Sequence, residues 1–155
     1  MIPDNYKNYE NVNQKNKKSY VQPALPEGYL EGGYYSDPEK EKLKKEYITR
    51  YPENIAKSLE HDSSKEVNKR SQIRKFYEYL LRVERKMQLK GNDYSMAEAD
   101  LEALVPYVSY ANKRKLVSAL FQTYIKKNVE SVHDEKDMKA FVKHFEALVA
   151  FTKRD

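Results

Sequence analysis

The stretch "KRSQIRKFYEYLLRVERK" runs from Lys69 to Lys86 and decides the fold class, because its apolar residues return at helical spacing. Continued by one further turn, the apolar positions are Ile73, Phe76, Tyr77, Leu80, Val83 and Met87. Side chains at steps of three and four share one side of an α-helix, so the pattern predicts an amphipathic helix with one buried face. The other side is crowded with arginine and lysine. Grouping like charges does not stabilise a helix, so this charge needs an explanation of its own.

Upstream, the sequence predicts two shorter helices. Asp37 suits an N-cap and Pro38 the first helical position of "SDPEKEKLKKEYITRY", whose apolar stripe is thin. Pro52 then opens a short helix, in which the inward positions are Ile55, Ala56 and Leu59. A polar linker, "EHDSSKEVN", leads from there to the central helix.

Downstream, the helical pattern continues. Gly91 is expected to end the central helix, Ser95 and Glu98 have the spacing of a capping box, and Pro106 stops or kinks the helix that follows. Asp134 caps a final helix with acids in its first turn. Two further apolar stripes are Leu116, Leu120, Phe121, Tyr124, Ile125 and Val129, and then Met138, Phe141, Val142, Phe145, Leu148, Val149 and Thr152.

The sequence therefore predicts an all-α fold, a compact bundle of about five or six helices over residues 36–155. It contains no convincing strand pattern and no repeat. Residues 1–35 differ, being rich in Asn, Tyr, Lys, Pro and Gly without a period of 2 or 3.6. Such a segment is predicted to be a flexible arm, because it buries too little apolar area to offset its ordering entropy. Its tyrosines and lysines either touch nucleic acid or a neighbouring subunit, or belong to a solvated tail.

Composition narrows the class of protein. The chain has 155 residues, the size of one ordinary domain, and a formal net charge of +5, which favours a polyanionic partner. It has no cysteine, so disulfides, thiolate metal sites and a cysteine nucleophile are excluded. No signal peptide pattern and no apolar run of membrane-spanning length is present. We expect a soluble cytoplasmic protein that does not contact a membrane.

Signatures of catalysis are missing. The three histidines, His61, His133 and His144, form no HxH or HExxH spacing, and the chain has no glycine-rich phosphate loop or nucleophile elbow. His144 lies one residue from the apolar face of the last helix, where a histidine that packs in the core or at its rim is the default. We expect no enzymatic activity, no metal and no cofactor.

The distribution of charge is the most informative feature. From Lys69 to Lys90 there are eight basic residues and two acids, with Arg74, Arg82 and Arg85 opposite the apolar face. A second run, from Ala103 to Val129, has no acid at all. Its basic residues are Lys113, Arg114, Lys115, Lys126 and Lys127.

Tyr107 and Tyr110 stand just before this second cluster. Tyrosines beside guanidinium groups suit stacking on bases and contact with phosphates, although they could equally pack on the bundle. No base-reading motif is present, so we predict backbone contacts that depend strongly on salt and little on sequence.

Three segments resemble, in order, those of a known family. "RSQIRKFYEYL" (70–80), "LVPYVSYANKR" (104–114) and "DEKDMKAFVKHFEALVAFTK" (134–153) are similar to segments of the small helical subunit of type III-A CRISPR–Cas effector complexes, the Csm complex. Ser71, Gln72 and Arg74 match the first motif, and Arg114 matches the second. The chain departs from the family pattern at Arg70, where threonine is usual, and at Lys113, where glycine is usual.

The resemblance implies an all-α RNA-binding subunit without a catalytic role, present in several stacked copies. It would line the groove between guide RNA and target RNA and grip the target backbone. Its partners would be both RNAs, the backbone and large subunits of the complex, and neighbouring copies of itself. The candidate RNA-binding residues are Lys69, Arg70, Gln72, Arg74, Lys75, Arg82, Arg85, Lys113, Arg114 and Lys115. The alternative is a helical scaffold whose basic face docks on an acidic protein.

Overall fold

A computed structural model describes residues 23–62 and 66–153. These ranges contain six α-helices: α1 (Arg50–His61), α2 (Arg70–Leu89), α3 (Glu98–Glu102), α4 (Leu104–Lys113), α5 (Ala119–Ser131) and α6 (Glu135–Phe151). They contain no β-strand beyond an isolated bridge between Tyr35 and Leu43. The prediction of an all-α bundle is confirmed. None of these helices has both the length and the apolar character that crossing a bilayer requires.

The central helix, α2, follows the sequence pattern closely. It buries Ile73, Leu80, Val83 and Met87. Beyond its end, the backbone N–H of Asn92 donates to the Met87 carbonyl at 3.0 Å, and Gly91 takes a φ of +73°. Only glycine adopts that left-handed conformation without steric cost, so Gly91 ends the helix as predicted.

The core is an aromatic layer between α5 and α6. Tyr124 of α5 meets Phe145 of α6 with ring centroids 5.5 Å apart, and Phe121 meets the same ring at 6.2 Å. Helix α6 packs against both α1 and α2, and α4 packs against α5. The Asp134 carboxylate accepts the Asp137 backbone N–H at 2.8 Å, so the predicted cap of α6 is confirmed. Helix α6 therefore holds the bundle together.

The helix predicted from Pro38 onward is wrong. Asp37 does accept two backbone N–H groups, from Glu41 at 3.1 Å and Lys42 at 2.8 Å, but it closes a turn in which Lys40 has a φ of +57°. Only residues 45–47 form a 3₁₀ turn before α1. This stretch is mostly charged, so a helix here would have only a thin apolar stripe to bury. Short helices in proteins are stabilised mainly by packing of their apolar face, and that stabilisation is missing here.

Two other local predictions concern the region after α2. The capping box at Ser95 and Glu98 is not formed, because Ser95 donates both its N–H and its hydroxyl to Asp93, at 3.0 and 2.7 Å. The break near Pro106 is confirmed, since α3 and α4 are separated at Ala103. Pro106 lies in the first turn of α4, where its missing N–H costs nothing.

The N-terminal boundary predicted at Tyr35 is also wrong. Residues 23–35, here called the strap, lie on the bundle and insert Tyr29 and Tyr34, which are 6% and 0% exposed. The predicted arm over residues 1–22 lies outside the described residues. A tyrosine in a polar segment can be buried in the core when its hydroxyl has a hydrogen-bond partner there. The composition of the segment does not show whether such a partner exists.

A chain of hydrogen bonds fixes the strap. The Tyr34 hydroxyl donates to Asn128 Oδ1 at 2.7 Å, and Asn128 Nδ2 donates to the Tyr29 hydroxyl at 2.9 Å. That hydroxyl in turn bonds His144 Nε2, while His144 Nδ1 lies 2.6 Å from the Tyr47 carbonyl. A carbonyl only accepts, so Nδ1 carries the proton of a neutral imidazole and Nε2 accepts from Tyr29. His144 is thus a packing residue at 0% exposure.

Candidate nucleic-acid interface

The two basic clusters meet at one corner of the bundle because of Asn68. Its backbone N–H donates to the Leu116 carbonyl at 3.0 Å, and its side chain exchanges two hydrogen bonds with Ser118, at 2.9 and 2.8 Å. Asn68 has a φ of +59°, a conformation that asparagine tolerates better than most residues. The chain leading into Lys69 is therefore held against the chain that follows Lys115.

The corner after α4 is built on a left-handed lysine. Leu116 N–H donates to the Ala111 carbonyl at 3.0 Å, and Lys115 N–H donates to the Asn112 carbonyl at 2.9 Å. Lys115 has a φ of +60°, whereas Lys113 is the last residue of the helix. The departure from glycine at position 113 therefore does not disturb the turn. The strained residue is Lys115, because its left-handed conformation favours glycine.

Lys115→Gly is expected to raise the free energy of unfolding by about 1 kcal/mol, because glycine removes the steric cost of the left-handed conformation. Urea denaturation of the two proteins measures the change. The matched control is Lys113→Gly, which introduces glycine into a helical position and is expected to lower stability by about 0.5–1 kcal/mol. Equal losses in both variants would contradict the assignment of strain to Lys115.

An aromatic ridge joins α2 to α4; its residues are Tyr79, Arg82, Tyr107, Tyr110 and Arg114. The Arg82 guanidinium lies 5.7 Å from the ring centroid of Tyr79, and the rings of Tyr79 and Tyr107 meet edge to face at 5.4 Å. Directly after α4 the Arg114 guanidinium lies 5.6 Å from the ring of Tyr110. Tyr107 and Tyr110 of α4 and Arg114 at its C-cap recur at steps of three and four, so they follow one stripe of that helix and its end.

Most of the candidate RNA-binding residues are exposed to solvent. The exposed ones are Arg74, Lys75, Arg82, Arg85, Lys113, Arg114 and Lys115, and the half-buried ones are Lys69, Arg70 and Gln72. Arg74 pairs with Glu78 at 3.4 Å, and Lys69 pairs with Glu66 at 3.5 Å. Pairs this exposed contribute only about 0–1 kcal/mol. Within residues 23–62 and 66–153, no carboxylate comes within 4.0 Å of Lys75, Arg82, Arg85, Lys113, Arg114 or Lys115.

The structure brings some predicted residues together and leaves others apart. Arg82 lies against Tyr79, whose ring contacts Tyr107, and Arg114 lies against Tyr110, three residues further along the chain. The hydrogen bond from Asn68 to Leu116 joins the residues that adjoin Lys69 and Lys115. No contact in the described part of the chain joins Arg74 or Arg85 to the ridge. Sequence reasoning missed Tyr79, although its position three residues before Arg82 and off the apolar stripe was a usable signal.

Both alternatives for Tyr107 and Tyr110 stay open: the two side chains are 52% and 62% exposed, yet the ring of Tyr107 packs on that of Tyr79. The surface combines planar guanidinium groups with aromatic rings, and both kinds of group can contact an anionic, base-bearing ligand. Among the described residues, no group of three histidine or acidic side chains is arranged to hold a metal ion.

Comparison with known proteins agrees with the resemblance seen in the three motifs. The family model described as Csm2 Type III-A matches residues 42–155, a range that includes all six helices and the whole aromatic ridge but not the strap. Neither the curated proteins nor the solved structures contain a match to this chain. The family match covers well over half of the sequence, and the chain therefore belongs to the Csm2 family, a structural small subunit of the type III-A CRISPR complex.

Proposed function

We propose that this subunit binds the sugar-phosphate backbone of RNA, with the target strand in the groove between guide and target as its main ligand. The observation that carries the proposal is the positive surface formed by the aromatic ridge and the Asn68 corner, on which Arg82, Arg114 and Lys115 have no carboxylate of the described residues within 4.0 Å. Two basic segments that are far apart in sequence are joined there by the hydrogen bonds of Asn68 and by the contact between the rings of Tyr79 and Tyr107. A positively charged surface attracts a polyanion such as RNA, and its binding releases the counterions that had surrounded the RNA phosphates.

Backbone binding follows from the kinds of side chain present. Arg82 and Arg114 can hold two phosphate oxygens each, because the guanidinium group is a planar fork of donors. Helix α2 also begins without an acidic residue in its first turn, so its positive end is not neutralised locally. These contacts carry no sequence information, so binding is expected to be independent of sequence.

We also propose that the subunit has no catalytic role. Two buried titratable groups are used by the fold: His144 has both ring nitrogens bonded inside the core, and Asp137 accepts from Lys40 and from the His133 backbone N–H, both at 3.0 Å. In this proposal the subunit acts in the cytoplasm beside guide RNA, the backbone and large subunits, and neighbouring copies of itself.

The test is the affinity of the full chain for single-stranded RNA, measured by fluorescence anisotropy over a range of salt. The double variant Arg82→Glu, Arg114→Glu is expected to bind at least tenfold more weakly. Its log–log salt slope should fall by about 1.4, since each single-strand phosphate contact contributes about 0.7.

The matched control is Lys57→Glu, Lys153→Glu. It makes the same change in net charge at two exposed lysines that are not part of the ridge, each paired with a glutamate on α1. Equal losses in the two double variants would show that only net charge matters. If the wild-type chain ignores RNA at low salt but its basic face holds an acidic subunit, the protein scaffold is the correct function.

A further inference from the structure

We infer that Tyr107 and Tyr110 stack on unpaired bases, so that the aromatic ridge selects RNA whose bases are open. This inference rests on the proposed RNA binding and adds a contact of a different chemical kind. The phosphate contacts would hold any nucleic acid strand, whereas a stacking contact requires a free base face. The ridge would therefore contact bases of the target strand that are not paired with the guide, and it would bind a single strand more tightly than a closed duplex.

The exposure of these two side chains has no structural explanation. The structure describes eleven tyrosines, and only Tyr107 and Tyr110 are classed as exposed. Tyr79 and Tyr94, the nearest comparisons, donate their hydroxyls to backbone carbonyls at 2.7 and 3.1 Å. In the described part of the chain, the hydroxyls of Tyr107 and Tyr110 bond nothing. Exposed aromatic rings without a hydrogen-bond partner are typical of surfaces that bind a ligand.

The two rings are also held in place. Tyr107 contacts the ring of Tyr79, which is anchored through its hydroxyl to the Asp100 carbonyl and flanked by Arg82. Tyr110 is backed by the guanidinium of Arg114. A ring fixed before binding loses less conformational entropy when a base stacks on it. The ridge thus resembles the stacking platforms by which proteins bind single strands without reading sequence.

The surroundings favour RNA over a protein partner. No acid occurs from Ala103 to Val129, and Lys113 and Lys115 are exposed next to Arg114. Protein interfaces exclude lysine from their centres and bury other apolar side chains beside their aromatic residues. The other exposed large apolar residues of the described chain are Ile48, Leu89, Met96 and Phe151, and none of them is on α4.

The test uses the full chain and a single-stranded RNA that contains 2-aminopurine, a base whose fluorescence reports stacking. The wild type is expected to change this fluorescence and to bind the single strand more tightly than a blunt duplex of the same sequence. Tyr107→Leu, Tyr110→Leu should bind at least tenfold more weakly, with the salt slope unchanged because phosphate contacts remain. Tyr107→Phe, Tyr110→Phe should retain binding, since it keeps both rings.

Phe151→Leu is the matched control, because it removes an aromatic ring of 46% exposure from α6, away from the ridge. If the leucine double variant binds as the wild type does and the 2-aminopurine signal persists, stacking is overturned while phosphate binding stands. If the wild type does not bind RNA at any salt concentration, both proposals are overturned. If the leucine variant loses only its hold on other subunits of the complex, the rings serve a protein contact and the inference fails.

Discussion

Tyr34→Ala is expected to lower the free energy of unfolding by about 3–5 kcal/mol, the range for removing a buried aromatic side chain. Tyr34 is completely buried, its ring meets that of Tyr47 at a centroid distance of 5.5 Å, and its hydroxyl donates to Asn128 Oδ1. Alanine would leave a cavity and a buried amide oxygen without its donor, and both are costly. Chemical denaturation followed by circular dichroism measures the loss.

Two further variants give this experiment its meaning. Tyr34→Phe keeps the ring and removes only the hydroxyl, so its cost is expected to be about 1–3 kcal/mol. Tyr110→Ala removes a tyrosine that is largely exposed and should change stability by about 0.5 kcal/mol or less. If Tyr34→Ala costs no more than Tyr110→Ala, the strap does not belong to the folded core.

Stability is expected to fall between pH 6.5 and pH 4 because of His144. Burial lowers the pKa of His144 from 6.5 to about 4, although its bond to the Tyr47 carbonyl acts in the opposite direction. Above pH 6.5 the ring is neutral in both states, so the contribution of His144 to stability is fully present. As the pH falls towards 4, the unfolded chain takes up a proton that the folded chain does not. This difference lowers the free energy of unfolding by about 3 kcal/mol at pH 4.

The geometry explains why the folded chain excludes that proton. His144 Nε2 accepts a hydrogen bond from the Tyr29 hydroxyl. Protonation would turn Nε2 into a donor that faces another donor, and this hydrogen bond would be lost unless the hydroxyl turned away. Urea midpoints between pH 4 and pH 7 measure the effect. His144→Gln is the control, since glutamine stays neutral while the carboxylates titrate as before. Parallel stability profiles for the two proteins would show that His144 does not contribute the pH dependence.

The sequence predicted the helices with wide apolar stripes and the short helix α1, and it failed for the stretch from Pro38, whose thin stripe does not form a helix. Helices α2 and α6 each bury a face at clean helical spacing, and both were predicted close to their observed bounds. The stretch before α1 has the composition of a helix but nothing to bury it against. The strap was not predicted to pack on the bundle because its sequence has no helical or strand periodicity. Its two core tyrosines are held instead by partners on α5 and α6, about 100 residues away.

The same distinction applies to the candidate interface. The sign of the charge and the identity of the cations were readable, because composition and helical spacing are local properties. Their arrangement was not, because it depends on two tertiary contacts. Asn68 brings the starts of two distant helices together, and the ring of Tyr79 lies between Arg82 and Tyr107 of α4. Neither residue carries a charge, so a search for basic clusters passes over both.

The strap also fixes an order of events during synthesis on the ribosome. Tyr29 is made 115 residues before His144, the residue to which it binds. The strap therefore leaves the exit tunnel before any of the six helices, and the surface on which it docks is complete only after α6 has emerged. Until then the nascent chain carries an open core. Contacts between residues so far apart in sequence slow folding, so the final closure of this small helical protein should be slower than its helix content suggests.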